Sequence, residues 1–172
     1  MNAWCRSACA LVFAGLAFVG LVFAGLALAG SALAAPRAVE AFGIETWKSL
    51  QASVNQPTVV VFTATWCATC PVVMEDLVAQ LRQRKVKASV LAVVMDVAPG
   101  DNDAALVRNP HYRLADRLFA FDGQAPAIRD RVDPRWRGAA PYVVLLSPHA
   151  APRLSTGMPS DADLAAWAAA RR

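Results

Sequence analysis

TVVVFTATWCATCP, residues 58–71, is the stretch whose reading decides the fold. Thr58 to Thr63 is an unbroken run of β-branched and aromatic residues. With no polar alternation, such a run suits a strand buried on both faces. It leads into two cysteines two residues apart, Cys67 and Cys70, with Trp66 before the first and Pro71 after the second. Taken alone, a Cys-x-x-Cys turn is compatible with a redox pair, half of a metal site or an ordinary turn. The surrounding chain must choose among them.

Downstream, Val72–Arg84 carries Val73, Leu77 and Leu81 at helical spacing, with Glu75, Gln80 and Arg84 on the other side. Ala88–Val97 (ASVLAVVMDV) is a second buried-strand run. Strand, helix and strand in this order predict a parallel βαβ unit. Upstream, Val39, Phe42, Ile44, Trp47, Leu50 and Val54 are spaced as in a helix, which is expected over Val39–Ser53 and ends at Asn55-Gln56-Pro57. Residues 98–140 form a long connection with breaks at Pro99-Gly100 and Asn109-Pro110. A structureless loop of that length is unusual in a compact domain, so helices are expected over His111–Phe121 and Gln124–Arg131. Tyr142–Leu146 (YVVLL) reads as a third strand and Arg153–Met158 as a fourth, joined through a hairpin at Ser147-Pro148-His149. Asp161–Ala170 closes the chain as a helix, capped by Ser160 or Asp161, with Leu164 and Trp167 facing inward.

The chain has 172 residues, 56% of them hydrophobic. Much of that excess lies between Ala8 and Ala35, a stretch with no charge and a near-repeat, LVFAGLA, at Leu11–Ala17 and Leu21–Ala27. A short head bearing Arg6, an apolar stretch and the small residues of SALAAP have the layout of a secretory signal, with cleavage after Ala34 or Ala35. The apolar run also reaches the roughly 20 residues that span a bilayer, so an uncleaved anchor is the competing reading. Residues 1–35 are thus a signal peptide or membrane anchor, and residues 36–172 are one exported domain at the periplasmic or other extracytoplasmic face. Membrane contact would run only through residues 8–35, if they are retained.

Setting aside Arg6, 16 of the 17 Lys and Arg residues stand against 13 Asp and Glu. That mild basic balance is no nucleic-acid footprint, and the loose cluster Arg129–Arg137 reads as a solvated face. Cys5 and Cys9 fall in the targeting segment, which leaves Cys67 and Cys70 for the domain. A disulfide-stapled scaffold uses several spaced pairs, so a single close pair points to chemistry.

These residues resemble the thioredoxin superfamily, and in particular the periplasmic reductases of cytochrome c maturation and related membrane-tethered proteins. The resemblance covers roughly Val39–Ala170. It rests on VVVFTATWCATC, on the order of helices and strands, and on GAAPYVVLL, where Pro141 opens a strand after small residues. It implies an α/β thioredoxin-like fold: a central mixed sheet flanked by helices, with an enlarged helical crossover over residues 98–140 before the cis-proline strand. It also implies a thiol–disulfide oxidoreductase with no cofactor beyond a Cys67–Cys70 disulfide. Cys67 would attack a substrate disulfide and Cys70 would resolve the mixed disulfide. Trp66 would shield the pair and offer an apolar contact, and Pro141, in cis, would set the backbone of Ala140 beside the sulfurs. The partners so implied are protein thiols and disulfides, reduced in the extracytoplasmic space, and a membrane thiol-transfer protein as electron donor.

The spacing suits that chemistry. Two intervening residues let both sulfurs meet across a first helical turn, where unpaired amides and the helix dipole favour the thiolate. The chain also departs from thioredoxin. Ala68-Thr69 stands where thioredoxin has Gly-Pro, Val61 where it has a buried aspartate, and Ala92 near its lysine partner, while Glu75 lies on the helix. Pro71 removes an amide from the first turn. Two other classes stay open. A copper-delivery protein would need ligands, and the domain offers only His111 and His149 beside the cysteines. A non-catalytic binding module would keep the pair locked. A peroxidase of this fold would carry threonine at Ala64. Met74, Met95 and Met158 read as core or surface residues.

Overall fold

A computed structural model describes residues 35–170, so the expected signal peptide or membrane anchor lies, up to Ala34, outside the described residues. The domain is built on a six-stranded sheet of order β1-β4-β3-β2-β5-β6. The strands are β1 (Val39–Phe42), β2 (Thr58–Thr63), β3 (Ser89–Val94), β4 (Arg117–Phe121), β5 (Tyr142–Ser147) and β6 (Ala150–Thr156). β1, β4, β3 and β2 run parallel, whereas β5 is antiparallel to β2 and β6 antiparallel to β5. The helices are α1 (Ile44–Ser53), α2 (Cys70–Gln83), α3 (Asp103–Arg108), α4 (Ala125–Val132) and α5 (Asp161–Ala169), with a 3-10 turn at Pro110–Leu114. This is the α/β, mixed-sheet, thioredoxin-like arrangement. Among the described residues no helix is long and apolar enough to cross a membrane.

Every residue of β2 is buried, as a strand without polar alternation requires. Its side chains alternate between two cores. Val59 and Val61 join an aliphatic cluster with Met74, Leu77 and Val78 of α2 and with Leu164 and Trp167 of α5. Val60 and Phe62 join an aromatic cluster with Trp47 of α1, Ile128 and Val132 of α4, and Phe42, Phe119 and Phe121. The aromatic rings interlock: Phe62 lies 5.5 Å from Phe42 and 4.9 Å from Trp136, centroid to centroid. Full burial of each such side chain stabilises by about 1.5–3 kcal/mol.

Two strands replace expected helix. Val39–Phe42 is an edge strand paired with β4, Phe42 opposite Phe121. The helix begins only after Gly43, whose amide donates to Thr46 Oγ1 at 3.2 Å while the Thr46 hydroxyl donates back to Ala41. Val39 and Phe42 point into opposite cores, which a strand allows and one helical stripe does not. His111–Phe121 is likewise no single helix. The 3-10 turn buries Tyr112, and Asp116 then fastens the chain to β3: its amide donates to the Val90 carbonyl at 2.7 Å and its carboxylate accepts from the Val90 amide at 2.8 Å. Leu118–Phe121 continue as buried strand beside Ala92–Val94. The crossover is therefore not purely helical, since it carries β4 between α3 and α4. The expected third and fourth strands and the closing helix stand as β5, β6 and α5, and Ser160 caps α5 by accepting from the Asp163 amide at 3.1 Å.

Candidate redox site

Strand β2 delivers the chain to the C-terminal edge of the parallel strands, and the loop Ala64–Thr69 turns it into α2. That loop is tied at two points. The Cys67 amide donates to the Ala64 carbonyl at 3.1 Å. The Thr65 amide donates to both carboxylate oxygens of Asp96, at 2.9 and 3.1 Å, and the Thr65 hydroxyl donates to the same carboxylate. Asp96 lies just beyond β3, so the β2–β3 pairing is what brings it to the loop. Helix α2 begins at Cys70, with Pro71 in its first turn, where a missing amide costs no intrahelical bond. The Val73 amide still donates to the Thr69 carbonyl at 3.1 Å, so the turn is regular.

Cys67 and Cys70 are joined as a disulfide, their Cα atoms 5.5 Å apart. Cys67 is 8% exposed and Cys70 3%, and both pack against Ala64 and Ala140. The Ala140–Pro141 peptide is cis, and Pro141 is buried beside them. Trp66 is 67% exposed, so its ring is presented to solvent beside the pair and the cover over the sulfurs comes from Ala64 and Ala140. Val72, also exposed, extends this apolar surface along α2. Val61 is fully buried in the aliphatic core, paired with Ala92 on β3, so the strand beneath the cysteines has no acid at that level.

A cavity of about 340 Å³ opens beside the disulfide. Thr63, Trp66, both cysteines and Met74 line one side, and Asn109, His111 and Tyr112 of the crossover line the other. His111 Nδ1 faces Glu75 Oε1 of α2 at 4.0 Å. Burial pushes the Tyr112 phenol above its ordinary value; the Thr63 side chain draws it down and the Asp96 charge raises it. His149 sits exposed in the β5–β6 hairpin, far in sequence from this wall. Among the described residues no three His, Cys, Asp or Glu side chains gather as a metal would require.

The loop that carries Ala140 has its own support. The Trp136 indole N–H donates to the Ala139 carbonyl at 2.9 Å, and its ring stacks on Tyr142 at 4.4 Å. The Tyr142 hydroxyl donates to Asp133 at 2.6 Å. That hydroxyl and the Arg135 amide hold the Asp133 carboxyl below the usual aspartate range, while burial, and then Asp133, raises the Tyr142 phenol. Asp96, Tyr112, Asp133 and Trp136 do not stand out in the sequence. The predicted β2–β3 pairing was the one signal that could have placed Asp96 near Thr65. His111 reads in sequence as a surface residue at a helix start, and only the fold sets it across from the cysteines.

Fold and site together define a thioredoxin-like domain with a disulfide-forming Cys-x-x-Cys pair at the head of α2. No protein-family model and no curated protein matches the chain. Among solved structures it is similar to a secreted Mycobacterium tuberculosis disulfide oxidoreductase described as homologous to E. coli DsbE. The identity is 17% over 69% of this chain and 84% of that one, with a TM-score of 0.46. It is similar also to a DsbF homologue from Corynebacterium diphtheriae, at 15% identity over 69% and 73% of the two chains and a TM-score of 0.48. StoA from Bacillus subtilis matches at 13% identity over 67% and 84%, with a TM-score of 0.44.

Proposed function

We propose that the protein is an exported thiol–disulfide oxidoreductase that reduces disulfides of extracytoplasmic proteins through Cys67 and Cys70. The observation that carries this reading is the pair itself: a closed disulfide at the start of α2, beside the Ala140 backbone and an exposed tryptophan. In the reduced form the Cys67 sulfur lies before the first turn of α2, where unpaired amides and the dipole favour thiolate. The Cys67 thiolate attacks one sulfur of a substrate disulfide, and the other substrate sulfur leaves as thiolate. Cys70, the more buried, then attacks Cys67, re-forms the intramolecular disulfide and releases the second substrate thiol. Trp66 and Val72 supply an apolar seat for the substrate, and the Ala140 backbone borders the same sulfurs. The oxidised pair is returned to dithiol by a membrane thiol-transfer protein, because an oxidising compartment does not supply those electrons.

The test is a trap. Cys70→Ser, expressed with the whole chain, should accumulate mixed disulfides with extracytoplasmic proteins on non-reducing gels, and C67S/C70S should accumulate none. If C70S traps nothing and the wild-type protein does not reduce a disulfide-bonded peptide, the proposal is wrong.

A further inference from the structure

We propose that His111 is the proton acceptor for Cys70 in the resolving step, a reading that rests on the exchange reaction proposed above. Resolution requires the Cys70 thiol to lose a proton before its sulfur becomes a nucleophile. The β-strand beneath the pair offers nothing to take it, because Val61, Ala92 and Val143 are all buried and apolar at that level. The cavity wall does. Of the residues lining the cavity with both cysteines, His111 carries the one side chain of a class that exchanges protons near neutral pH. Tyr112, the other ionisable group there besides the cysteines, is held protonated by its burial.

The placement is built rather than incidental. Asn109 Oδ1 accepts from the His111 amide at 3.0 Å and starts the 3-10 turn, while the next residue, Tyr112, is buried in the aliphatic core. The turn is thereby pinned against α2 on the face that carries Met74. Glu75 takes the Nδ1 side of the ring, and Nε2 makes no hydrogen bond among the described residues. The titratable groups that face the imidazole or share its cavity are Glu75 on α2, Tyr112 on its own turn and the cysteines themselves; Arg113 follows on the same turn, and the Asp96 charge acts on Tyr112.

In this step the Cys70 thiol proton passes to the imidazole as the Cys70 sulfur bonds to Cys67. The bond between Cys67 and the substrate sulfur breaks, and its electron pair leaves on the substrate, which takes up a proton from solvent. The dithiol is oxidised and the substrate disulfide reduced, so no other redox partner enters. Attack by Cys67 precedes this proton transfer and does not depend on it.

The experiment separates the two steps. Reduced full-length protein is mixed with a disulfide-bonded peptide, quenched with acid at intervals, and the mixed disulfide followed by mass. His111→Ala should form the mixed disulfide at the wild-type rate but resolve it about 100-fold more slowly at neutral pH, the low end of general acid–base effects. The acid limb of the wild-type resolution rate should vanish in H111A, and added imidazole should restore most of the lost rate. A resolution rate within twofold of wild type, or a loss that imidazole does not restore, overturns the assignment of His111 while leaving the Cys67/Cys70 reaction intact. Absence of any mixed disulfide in wild-type protein, or reduction that persists in C67S, overturns the exchange reaction and this step with it.

Discussion

Tyr142→Phe tests whether the cluster under the Ala140 loop is held by its buried hydroxyl. The substitution keeps the ring that stacks on Trp136 and removes only the hydroxyl that donates to Asp133 at 2.6 Å. A hydrogen bond to an ionised group contributes about 1.5–3 kcal/mol. Asp133 retains the Arg135 amide at 2.9 Å, while the Arg135 guanidinium at 3.3 Å is 84% exposed and adds little. The expected loss is therefore about 2 kcal/mol, or about 6–8 °C in Tm for a domain of this size. The pH dependence has a definite sign. The Asp133 carboxyl is held below its ordinary value, so the unfolded chain binds that proton more readily than the folded one. The stabilisation is complete above the ordinary aspartate value of about 3.9 and is lost as pH falls through the lower folded value. Guanidinium unfolding of the two proteins should show a constant gap from about pH 5 to 8 that narrows below about pH 4. A gap under about 0.5 kcal/mol, within the ordinary scatter of surface changes, refutes the reasoning. So does a gap that stays the same in acid.

Asp96→Ala should cost about 1–2 kcal/mol and speed hydrogen exchange at the Thr65 and Cys67 amides, since it removes the bonds that tie Thr65 to the end of β3; unchanged exchange there would show that the Ala64 turn suffices. Trp66→Ala should leave unfolding stability within about 0.5 kcal/mol because the ring is exposed. It should slow exchange with protein disulfides about tenfold, equivalent to ~1.4 kcal/mol, while leaving a small soluble disulfide unaffected. Gly138→Ala should destabilise by about 1–2 kcal/mol, because φ is +91° and the new Cβ would meet the Arg129 side chain at 3.3 Å. Equal denaturation midpoints would count against that backbone argument.

The sequence was most legible where burial leaves one choice. β2, β3 and β5 are unbroken apolar runs, and the cysteine pair with its helix follows from β2. Legibility failed where spacing is degenerate. Val39, Phe42 and Trp47 satisfy a helical count, yet Gly43 divides them into a strand and a helix. Tyr112, Ala115, Leu118 and Phe119 do the same across Asp116, whose pairing with Val90 depends on a strand 26 residues away. Of the parts of the site that sequence did not show, Asp96 and His111 act through contacts that exist only once distant segments are brought together, whereas the Asp133–Tyr142–Trp136 cluster is local but needs the turn between α4 and β5 to close. Cys67, Cys70 and Trp66 needed no such knowledge, because one short segment holds them all.

The separation of the two cores has a consequence for engineering. The aliphatic face seats α2, which carries Cys70 and borders Cys67, whereas the aromatic face seats Trp136 and Tyr142, which brace the loop ending at Ala140. The disulfide-bearing helix and the loop ending at Ala140 are thus mounted on opposite sides of one sheet and meet only at its rim. Libraries that repack Leu77, Val78 and Leu164 would retune the first without disturbing the second, and libraries at Phe119, Ile128 and Val132 would do the reverse. The domain is in this respect modular within a single fold, with the surroundings of the disulfide and the Ala140 loop open to separate selection.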